Sequence, residues 1–352
     1  MKIIPRDYQE DAAKAAVKEK ENTLIVLSTG AGKSVVISEL IKKSKAKKVL
    51  IFQPRAEILK QNVEHYEKII GDDYSVMSAS AGSHSSGKIT FATIGTAANR
   101  TEEFIGTDLI IYDEAHNFNI EKKRGQYNKF LKAIKFQGKC IGLTATPFRN
   151  YRKFDVSSRQ TKRTIDVLTE IGKPNSFWKS ICYNVDISYL IEKGYLYKPE
   201  YRYFNDIDYS QLKLTADGSN YTKESLKQFD EQNVNNILDV AKIAYKEKNK
   251  IIVYVDTISA AEDLTKKLIN EGINAGVVSS NETKEHNDSL LVEFKTTDKK
   301  MMIVNVNILT EGYDCKECDA VILGTPTASL NRYIQRAGRC IRPAGEKPPH
   351  PG

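Results

Sequence analysis

The sequence predicts an α/β fold in which two lobes are each built around a parallel β-sheet flanked by helices. Short apolar runs alternate with helical patterns along the chain, which is typical of parallel α/β layers. These runs fall into two groups, separated by a polar stretch at residues 205–250. A chain of 352 residues is also too long for one ordinary core, so two lobes are expected.

The apolar runs define the expected strands and domains. The first lobe should contain strands at residues 24–27, 49–52, 89–92, 109–112 and 141–144. The second should contain strands at residues 251–255, 275–278, 302–306 and 320–323. The predicted domains are a first lobe at 1–204, with a basic and aromatic insertion at about 149–179, a helical linker or start of the second lobe at 205–248, and a second lobe at 249–352.

Composition is that of a cytoplasmic protein without a membrane segment. No apolar run reaches the roughly 18 residues needed to cross a bilayer, and the first residues carry no signal core. The formal charge of +8 permits binding to a polyanion without requiring it. Among the five cysteines, only Cys315 and Cys318 have the spacing of a metal half-site. They lack a second close pair, so ordinary loop thiols are the preferred interpretation over zinc.

A glycine-containing turn follows the first predicted strand. Residues 28–34 read Ser-Thr-Gly-Ala-Gly-Lys-Ser, and a helical apolar stripe follows them. Such a turn can surround a nucleotide phosphate with backbone N–H groups, although Leu27 stands where the full pattern has its first glycine. The alternative is an ordinary strand-to-helix turn with a surface lysine. The predicted nucleotide contacts are Thr29, Gly30, Ala31, Gly32, Lys33 and Ser34.

Two adjacent carboxylates, Asp113 and Glu114, follow the apolar run at 109–112. At a strand end, such a pair can hold magnesium and orient a water molecule. Ser34 and Asp113 are the expected Mg²⁺ ligands, and Glu114 is expected to deprotonate the attacking water. Alternatively, Glu114 only supports the bound metal. Together with Lys33, these residues predict a site that hydrolyses ATP with Mg²⁺.

From Arg6 to Arg342 the chain resembles the two-lobed motor of the superfamily 2 helicases in its DEAH form. The resemblance depends on motifs in a fixed order, at residues 6–9, 28–34, 54–57, 93–96, 113–116, 144–147, 254–257, 310–314 and 335–342. Within the superfamily, residues 6–9, 142–149 and 191–199 resemble the RadD-like DNA-repair helicases and their phage relatives. Those proteins carry a cysteine-rich zinc region after the motor, so this chain is expected to be a minimal phage-type motor or a truncated form.

The resemblance implies two RecA-like lobes with the ATP cleft between them. Arg339 and Arg342 would reach the γ-phosphate as arginine fingers, beside Gln335 of the same motif. Their alternative is a pair of surface arginines at a helix end. Gly312 and Asp314 would lie at the cleft, near the ribose and the nucleic acid.

The resemblance also gives roles to residues around the phosphate turn. Arg6 and Gln9 would read adenine, unless Gln9 is a plain surface residue. His116, Thr144 and Thr146 would couple hydrolysis to movement.

Nucleic-acid contacts are expected mainly at phosphates, without sequence preference. The residues implied by motif position are Arg55, Thr93, Gly95, Thr96 and Thr310. The segment 149–179 has a net charge of +5, from eight Lys and Arg against three Asp and Glu, with interleaved aromatics that could grip a fork. A solvated loop with core aromatics at its ends is the equal alternative.

The expected function is an ATP-dependent DNA helicase or branched-DNA remodelling motor in repair, recombination or phage replication, moving 3′ to 5′ by resemblance. DNA is the expected partner. Two alternatives stay open, an RNA helicase and an ATP-binding scaffold that does not unwind. The presence of Lys33, Asp113, Glu114, Arg339 and Arg342 argues against the scaffold.

Overall fold

The computed structural model describes residues 3–54, 56–71, 73–78, 86–118, 125–155, 160–167, 171–203, 207–216, 218–309 and 315–342. Within these ranges it leaves out the side chains of residues 56–58, 61, 149–155 and 160–167. The chain packs as two compact units, Met1–Arg149 with Ile165–Leu190, and Asn150–Thr164 with Ile191–Gly352. The main boundary therefore lies between residues 190 and 191, earlier than the predicted position at 204.

The first unit contains a seven-stranded sheet in which every pairing is parallel. Its strands are β1 (Thr23–Leu27), β2 (Val49–Phe52), β3 (Ser75–Met77), β4 (Ile89–Ala92), β5 (Leu109–Asp113), β6 (Lys139–Thr144) and β9 (Ser180–Val185), in the order β3-β4-β2-β5-β6-β1-β9. Its helices are α1 (Asp7–Lys18), α2 (Lys33–Lys43), α3 (Ala56–Ile69), α4 (Ile94–Ala97), α5 (Gln126–Ala133) and α6 (Ile187–Glu192). Two 3₁₀ turns span Thr101–Phe104 and Ala115–Asn117.

The central strands of this sheet are buried on both faces. Every residue of β2, β4 and β5 is buried, which explains why they read as continuous apolar runs. An aromatic cluster forms much of the core on one face. The rings of Phe52 and Tyr112 stack with their centroids 5.5 Å apart, and the Trp178 ring meets Tyr112 edge-on at 6.0 Å.

The second unit contains a four-stranded parallel sheet. Its strands are β10 (Lys250–Tyr254), β11 (Ala275–Val278), β12 (Met301–Asn305) and β13 (Ala320–Leu323), in the order β11-β12-β10-β13. Its helices are α7 (Lys223–Glu247), α8 (Ile258–Asn270), α9 (Lys284–Thr296) and α10 (Leu330–Ala337). Helix α7 lies within the stretch predicted as a helical linker or the start of the second lobe. It packs on α8 and contributes to the apolar core of the second unit.

Strands β7 (Phe148–Asp155) and β8 (Gln160–Val167) form a separate two-stranded sheet. They occupy much of the predicted basic insertion, and the side chains of residues 149–170 lie outside the described residues. The two aromatic residues at the end of this insertion belong to the core instead. Trp178 is buried and therefore inaccessible to an unpaired base, and the partly buried Phe177 packs against the same aromatic cluster.

In each unit, an aspartate just before one strand accepts hydrogen bonds from the backbone that leads into the neighbouring strand. Asp108, just before β5, accepts the backbone N–H groups of Lys47 and Lys48 at 2.9 and 3.0 Å. In the second unit Asp319, just before β13, accepts the N–H groups of Asn249 and Lys250, both at 2.9 Å. Each carboxylate therefore fixes the entry of a neighbouring central strand.

The structure confirms the predicted fold class. Each predicted strand is present with its ends shifted by at most two residues. The sequence patterns missed β3, β9 and the sheet formed by β7 and β8. Within the described ranges, no helix combines the length and the apolar character that crossing a membrane requires.

Candidate active site

The glycine-containing turn joins β1 to α2. Gly30 and Gly32 have φ values of +88° and +74°, in the left-handed region that favours glycine. The Ser28 hydroxyl donates to the carbonyl of Val185 at the end of β9, which anchors the start of the turn. Gly32 is the N-cap of α2, and it has no side chain to accept a bond from the first helical N–H groups. A helix N-terminus with a glycine N-cap is suited to bind an anionic ligand through backbone N–H groups.

Helix α1 packs its first turn directly against this glycine turn. The Tyr8 hydroxyl and the Gln9 Nε2 atom both donate to the carbonyl of Ala31, at 2.8 and 2.9 Å. The Gln9 Oε1 atom accepts the backbone N–H of Arg6 at 2.9 Å. A Cβ atom built on Gly32 would lie only 2.5 Å from Gln9 Nε2, so a side chain here would both displace the Gln9 amide and strain a backbone with φ +74°. Gln9 is thus buried against the turn, and its contact with adenine stays a prediction.

The predicted carboxylate pair lies at the carboxyl end of β5, next to Lys33. The Lys33 Nζ atom is 2.7 Å from Glu114 Oε1, with both side chains largely buried. Glu114 has φ 51° and ψ 54°, and its backbone N–H donates to Asp113 Oδ1 at 3.0 Å. The structure therefore brings Lys33, from the glycine-containing turn (the phosphate turn), together with the carboxylates of Asp113 and Glu114 in one buried group of side chains.

Asp113 is held by a residue that no motif identified. Its Oδ2 atom accepts a hydrogen bond of 2.7 Å from Asn62 Nδ2 on α3. Burial, followed by the charge of Glu114, raises the pKa of Asp113 to about 6, while Lys33 and Asn62 act in the opposite direction. Two adjacent buried carboxylates with one cation form a site where a further positive charge would be stabilising.

The donor set around the turn suits magnesium and a nucleotide. Magnesium in nucleotide sites uses one or two protein oxygens, substrate phosphates and water, and Asp113 and Ser34 offer a carboxylate and a hydroxyl. The Thr29 Oγ1 atom is buried without a hydrogen-bond partner among the described residues, as expected of a donor kept for a ligand. The described residues contain no group of three His, Cys, Asp or Glu side chains that could bind a metal without a substrate's help. Cys315 and Cys318 are both buried in the core of the second unit.

The three predicted coupling residues lie in contact with one another. His116, in the 3₁₀ turn after Glu114, places its Nδ1 atom 2.9 Å from the Thr144 Oγ1 atom at the end of β6. The Thr146 hydroxyl is 3.4 Å from the same nitrogen, and the Thr146 backbone N–H donates to Thr144 Oγ1. The His116 ring also lies 3.6 Å from Glu114 Oε2. A polar chain thus leads from the carboxylate pair to the loop after β6.

In the second unit, the predicted motif lies on α10 and the turn that follows it. Gln335 and Arg339 are buried there, and Arg342 is partly buried. Burial raises the pKa of Tyr254 to about 12, although the positive charge of Arg339 acts to lower it. Between these residues of the motif, Arg336 forms a buried ion pair with Asp256, with a distance of 2.7 Å from Nη2 to Oδ1. Its guanidinium also lies 5.1 Å from the centroid of the Tyr254 ring.

The predicted nucleic-acid residues are only partly described. The hydroxyls of Thr93 and Thr96 lie 3.3 Å apart at the start of α4, and Gly95 between them is exposed with open space around it. Gly95 therefore leaves backbone accessible to a ligand. Several other predicted site residues lie outside the described part of the chain: the side chain of Arg55, together with Thr310, Gly312 and Asp314.

The sequence analysis did not identify Asn62, and it named Asp256 only as part of the motif at residues 254–257, without a role. The helical pattern of the sequence could have identified Asn62 as a buried polar residue. Leu59, Val63 and Tyr66 define the buried face of α3, and Asn62 lies on that face. A polar amide in such a position requires a hydrogen-bond partner. The identity of that partner depends on how α3 packs against its neighbours α2 and β4, which the helical pattern does not contain.

Two domain families match the chain, in order. Residues 2–149 match "Type III restriction enzyme, res subunit", and residues 231–344 match "Helicase conserved C-terminal domain".

Relatives along the whole chain agree with these matches. A 51.5 kDa protein of a Lactococcus phage is 28% identical over 89% of this chain, which spans 61% of that protein. The DNA 3'-5' translocase XPB2 of Sulfurisphaera tokodaii is 26% identical over 97% of this chain, which spans 79% of it. The solved structure of the Type ISP restriction-modification enzyme LlaBIII bound to DNA aligns over 98% of this chain and 27% of its own, with a TM-score of 0.68 and 19% identity. With two RecA-like units, these two domain matches in order and helicase relatives along its length, the protein belongs to the superfamily 2 helicases.

Proposed function

We propose that the protein is a DNA-dependent ATPase that converts ATP hydrolysis into movement along DNA. The observation that carries this proposal is the buried contact between Lys33 and Glu114 beside Asp113, because it joins the phosphate turn to the carboxylate pair. A nucleotide phosphate is the ligand that such a turn, lysine and carboxylate pair would serve together.

The residues of the first unit have separate tasks in this reaction. Lys33 pairs with Glu114, and its ammonium group would contact the β- and γ-phosphates when ATP binds. Glu114 is then free to accept a proton from the attacking water. Asp113 and Ser34 would hold magnesium, whose chemistry is to neutralise charge on the phosphate oxygens. The contact between His116 and Thr144 would couple hydrolysis at this site to a movement of the loop after β6.

The second unit would supply the remaining charge. Arg339 and Arg342 are proposed as arginine fingers on the γ-phosphate, with Gln335 beside them. A guanidinium suits this role because it is always charged and binds two oxygens in a fork. In this proposal hydrolysis requires groups from both units, and any change in their relative position is linked to turnover.

DNA is the proposed polymer and 3′ to 5′ the proposed direction. The support is that XPB2 is named a DNA 3'-5' translocase and that LlaBIII was solved bound to DNA. Asp113, Glu114, Ala115 and His116 spell the DEAH form of the magnesium motif. More narrowly, we propose that the protein belongs to the RadD-like branch, with a role in repair, recombination or phage replication. The support is the resemblance of residues 6–9, 142–149 and 191–199 to that branch.

The decisive experiment measures ATP turnover by the protein alone and with single-stranded DNA, RNA, forked DNA and a four-way junction. We expect DNA to stimulate turnover, and Glu114→Gln to lower it by about 100-fold or more because the general base is lost. Binding of a fluorescent ATP analogue should survive in this variant. Stimulation by RNA alone would overturn the DNA assignment, and equal rates for the wild type and the variant would exclude this site as an ATPase centre. Displacement of strands from 3′ and 5′ tails then tests unwinding and direction.

A further inference from the structure

We propose that Asn62 is a positioning residue that orients Asp113 and thereby sets the affinity of the protein for the nucleotide-bound divalent cation. No motif contains this residue. The proposal depends on the ATPase function proposed above, since it assigns Asp113 to the cation.

The first reason is the burial of Asn62. It lies on the inner face of α3 with Leu59, Val63 and Tyr66, and only 6% of its surface is exposed. An amide at such a position costs free energy unless it is hydrogen-bonded. Its Nδ2 atom donates to Asp113 Oδ2 at 2.7 Å, and the acceptor is a carboxylate, which makes this the stronger kind of hydrogen bond.

The second reason is that Asp113 is fixed at both of its oxygens. Oδ1 accepts a hydrogen bond from the backbone N–H of Glu114 at 3.0 Å, and Oδ2 accepts one from Asn62 Nδ2. One of these bonds comes from its own strand end and the other from a helix 51 residues away in sequence. Rotation of the carboxylate would break one of them. Each oxygen keeps a further lone pair for a cation or for a water molecule bound to it.

The third reason is the effect that such residues have on metal sites in general. Residues that orient a metal ligand typically contribute about 10-fold or more to metal affinity. Without the Asn62 amide, Oδ2 of Asp113 loses its hydrogen-bond donor from α3, so the carboxylate should be held less firmly and bind a cation more weakly.

The test replaces Asn62 and compares it with its neighbour on the helix. Asn62→Leu keeps the approximate shape and removes the donor. Val63→Ala is the matched control, because Val63 is buried on the same face and takes no part in the bond to Asp113. The first measurement is Mn²⁺ binding to the protein–ADP complex by electron paramagnetic resonance. The second is binding of fluorescent ADP in excess chelator, which reports on nucleotide affinity without a metal.

We expect Asn62→Leu to weaken Mn²⁺ binding about 10-fold and to leave metal-free ADP affinity unchanged. Val63→Ala should change neither the Mn²⁺ affinity nor the metal-free ADP affinity. Should Asn62→Leu fail to fold, as judged by its thermal transition, Asn62→Ala takes its place in the same measurements.

Wild-type Mn²⁺ affinity in the Asn62 variant would overturn the proposal. So would an equal loss in Val63→Ala, or a parallel loss of metal-free ADP binding, since either would indicate general damage to the site. If the wild-type protein binds neither Mn²⁺–ADP nor ATP, the proposed ATPase function fails and this inference fails with it. The two failures are therefore distinguished by the behaviour of the wild type.

Discussion

Glu114 occupies a backbone conformation that residues with a side chain rarely adopt. Its φ of 51° and ψ of 54° lie in the left-handed region, at a cost of about 1–3 kcal/mol that the surrounding structure must offset. The conformation ends β5 abruptly and begins the 3₁₀ turn that carries His116. The Glu114 carboxylate thereby lies against Lys33, and the ring of His116, two residues later, lies against Thr144.

Asp230 is a buried carboxylate in the second unit that joins three elements. It extends from α7 and accepts the backbone N–H and the hydroxyl of Thr257, after β10, at 3.0 and 2.7 Å. It also accepts the hydroxyl of Thr325, after β13. Burial raises the pKa of Asp230, although these hydrogen bonds act in the opposite direction.

This raised pKa predicts a pH dependence of stability. Below the unfolded value near 3.8 both states hold the proton. As pH rises from there, the unfolded chain ionises first, so the contribution of Asp230 to the free energy of unfolding falls until the folded pKa is passed. In urea unfolding between pH 3 and 7, the stability of the wild type relative to Asp230→Asn should therefore decrease with pH. A constant difference between the two proteins would contradict this.

At the scale of elements, buried parallel strands could be predicted and contacts between elements could not. The strands β2, β4, β11 and β13 match their apolar runs residue for residue. In β9, by contrast, the run Ser-Ile-Cys-Tyr-Asn-Val mixes polar and apolar residues, because this strand lies at the edge of the sheet and is only partly buried. The phosphate turn and carboxylate pair were predicted because their residues are adjacent in sequence. Asn62 was not, since its bond to Asp113 depends on tertiary packing.

The turn between β1 and α2 gives a prediction with an internal control. Gly32→Ala should destabilise the first unit and prevent nucleotide binding, because it combines a φ of +74° with a Cβ only 2.5 Å from Gln9 Nε2. Gly106→Ala has a similar φ of +82° but nothing within 4 Å of its Cβ, so it should cost only about 1–2 kcal/mol. Urea unfolding and fluorescent ADP binding measure both effects. Equal behaviour of the two variants would show that the contact with Gln9 is unimportant.

At the scale of the whole molecule, the chain forms two units with separate cores. The first core is dominated by aromatic rings and the second by aliphatic side chains from α7, α8 and the sheet. This separation predicts that damage to one unit leaves the other folded.

The two aspartates that fix strand entry allow a direct test of this independence. Asp108→Ala should destabilise the first unit by about 1–3 kcal/mol, because two backbone N–H groups lose their acceptor. Asp319→Ala should do the same to the second unit. Hydrogen exchange followed by mass spectrometry should show faster exchange in β2 and β5 for the first variant, and in β10 and β13 for the second. Faster exchange throughout the chain in either variant would indicate a single cooperative unit.

The repeated aspartate has a consequence for the history of the chain. In each unit a carboxylate that precedes one parallel strand accepts the two N–H groups that lead into its neighbour, through the same two oxygens in the same order. Among the described residues, the glycine-containing turn at 28–34 lies in the first unit and the aspartate contact lies in both, so the contact does not depend on that turn. It is the kind of detail that duplication of an ancestral gene segment would leave behind. After such an event, one copy would have kept the nucleotide pocket while the other kept the scaffold and acquired its arginines.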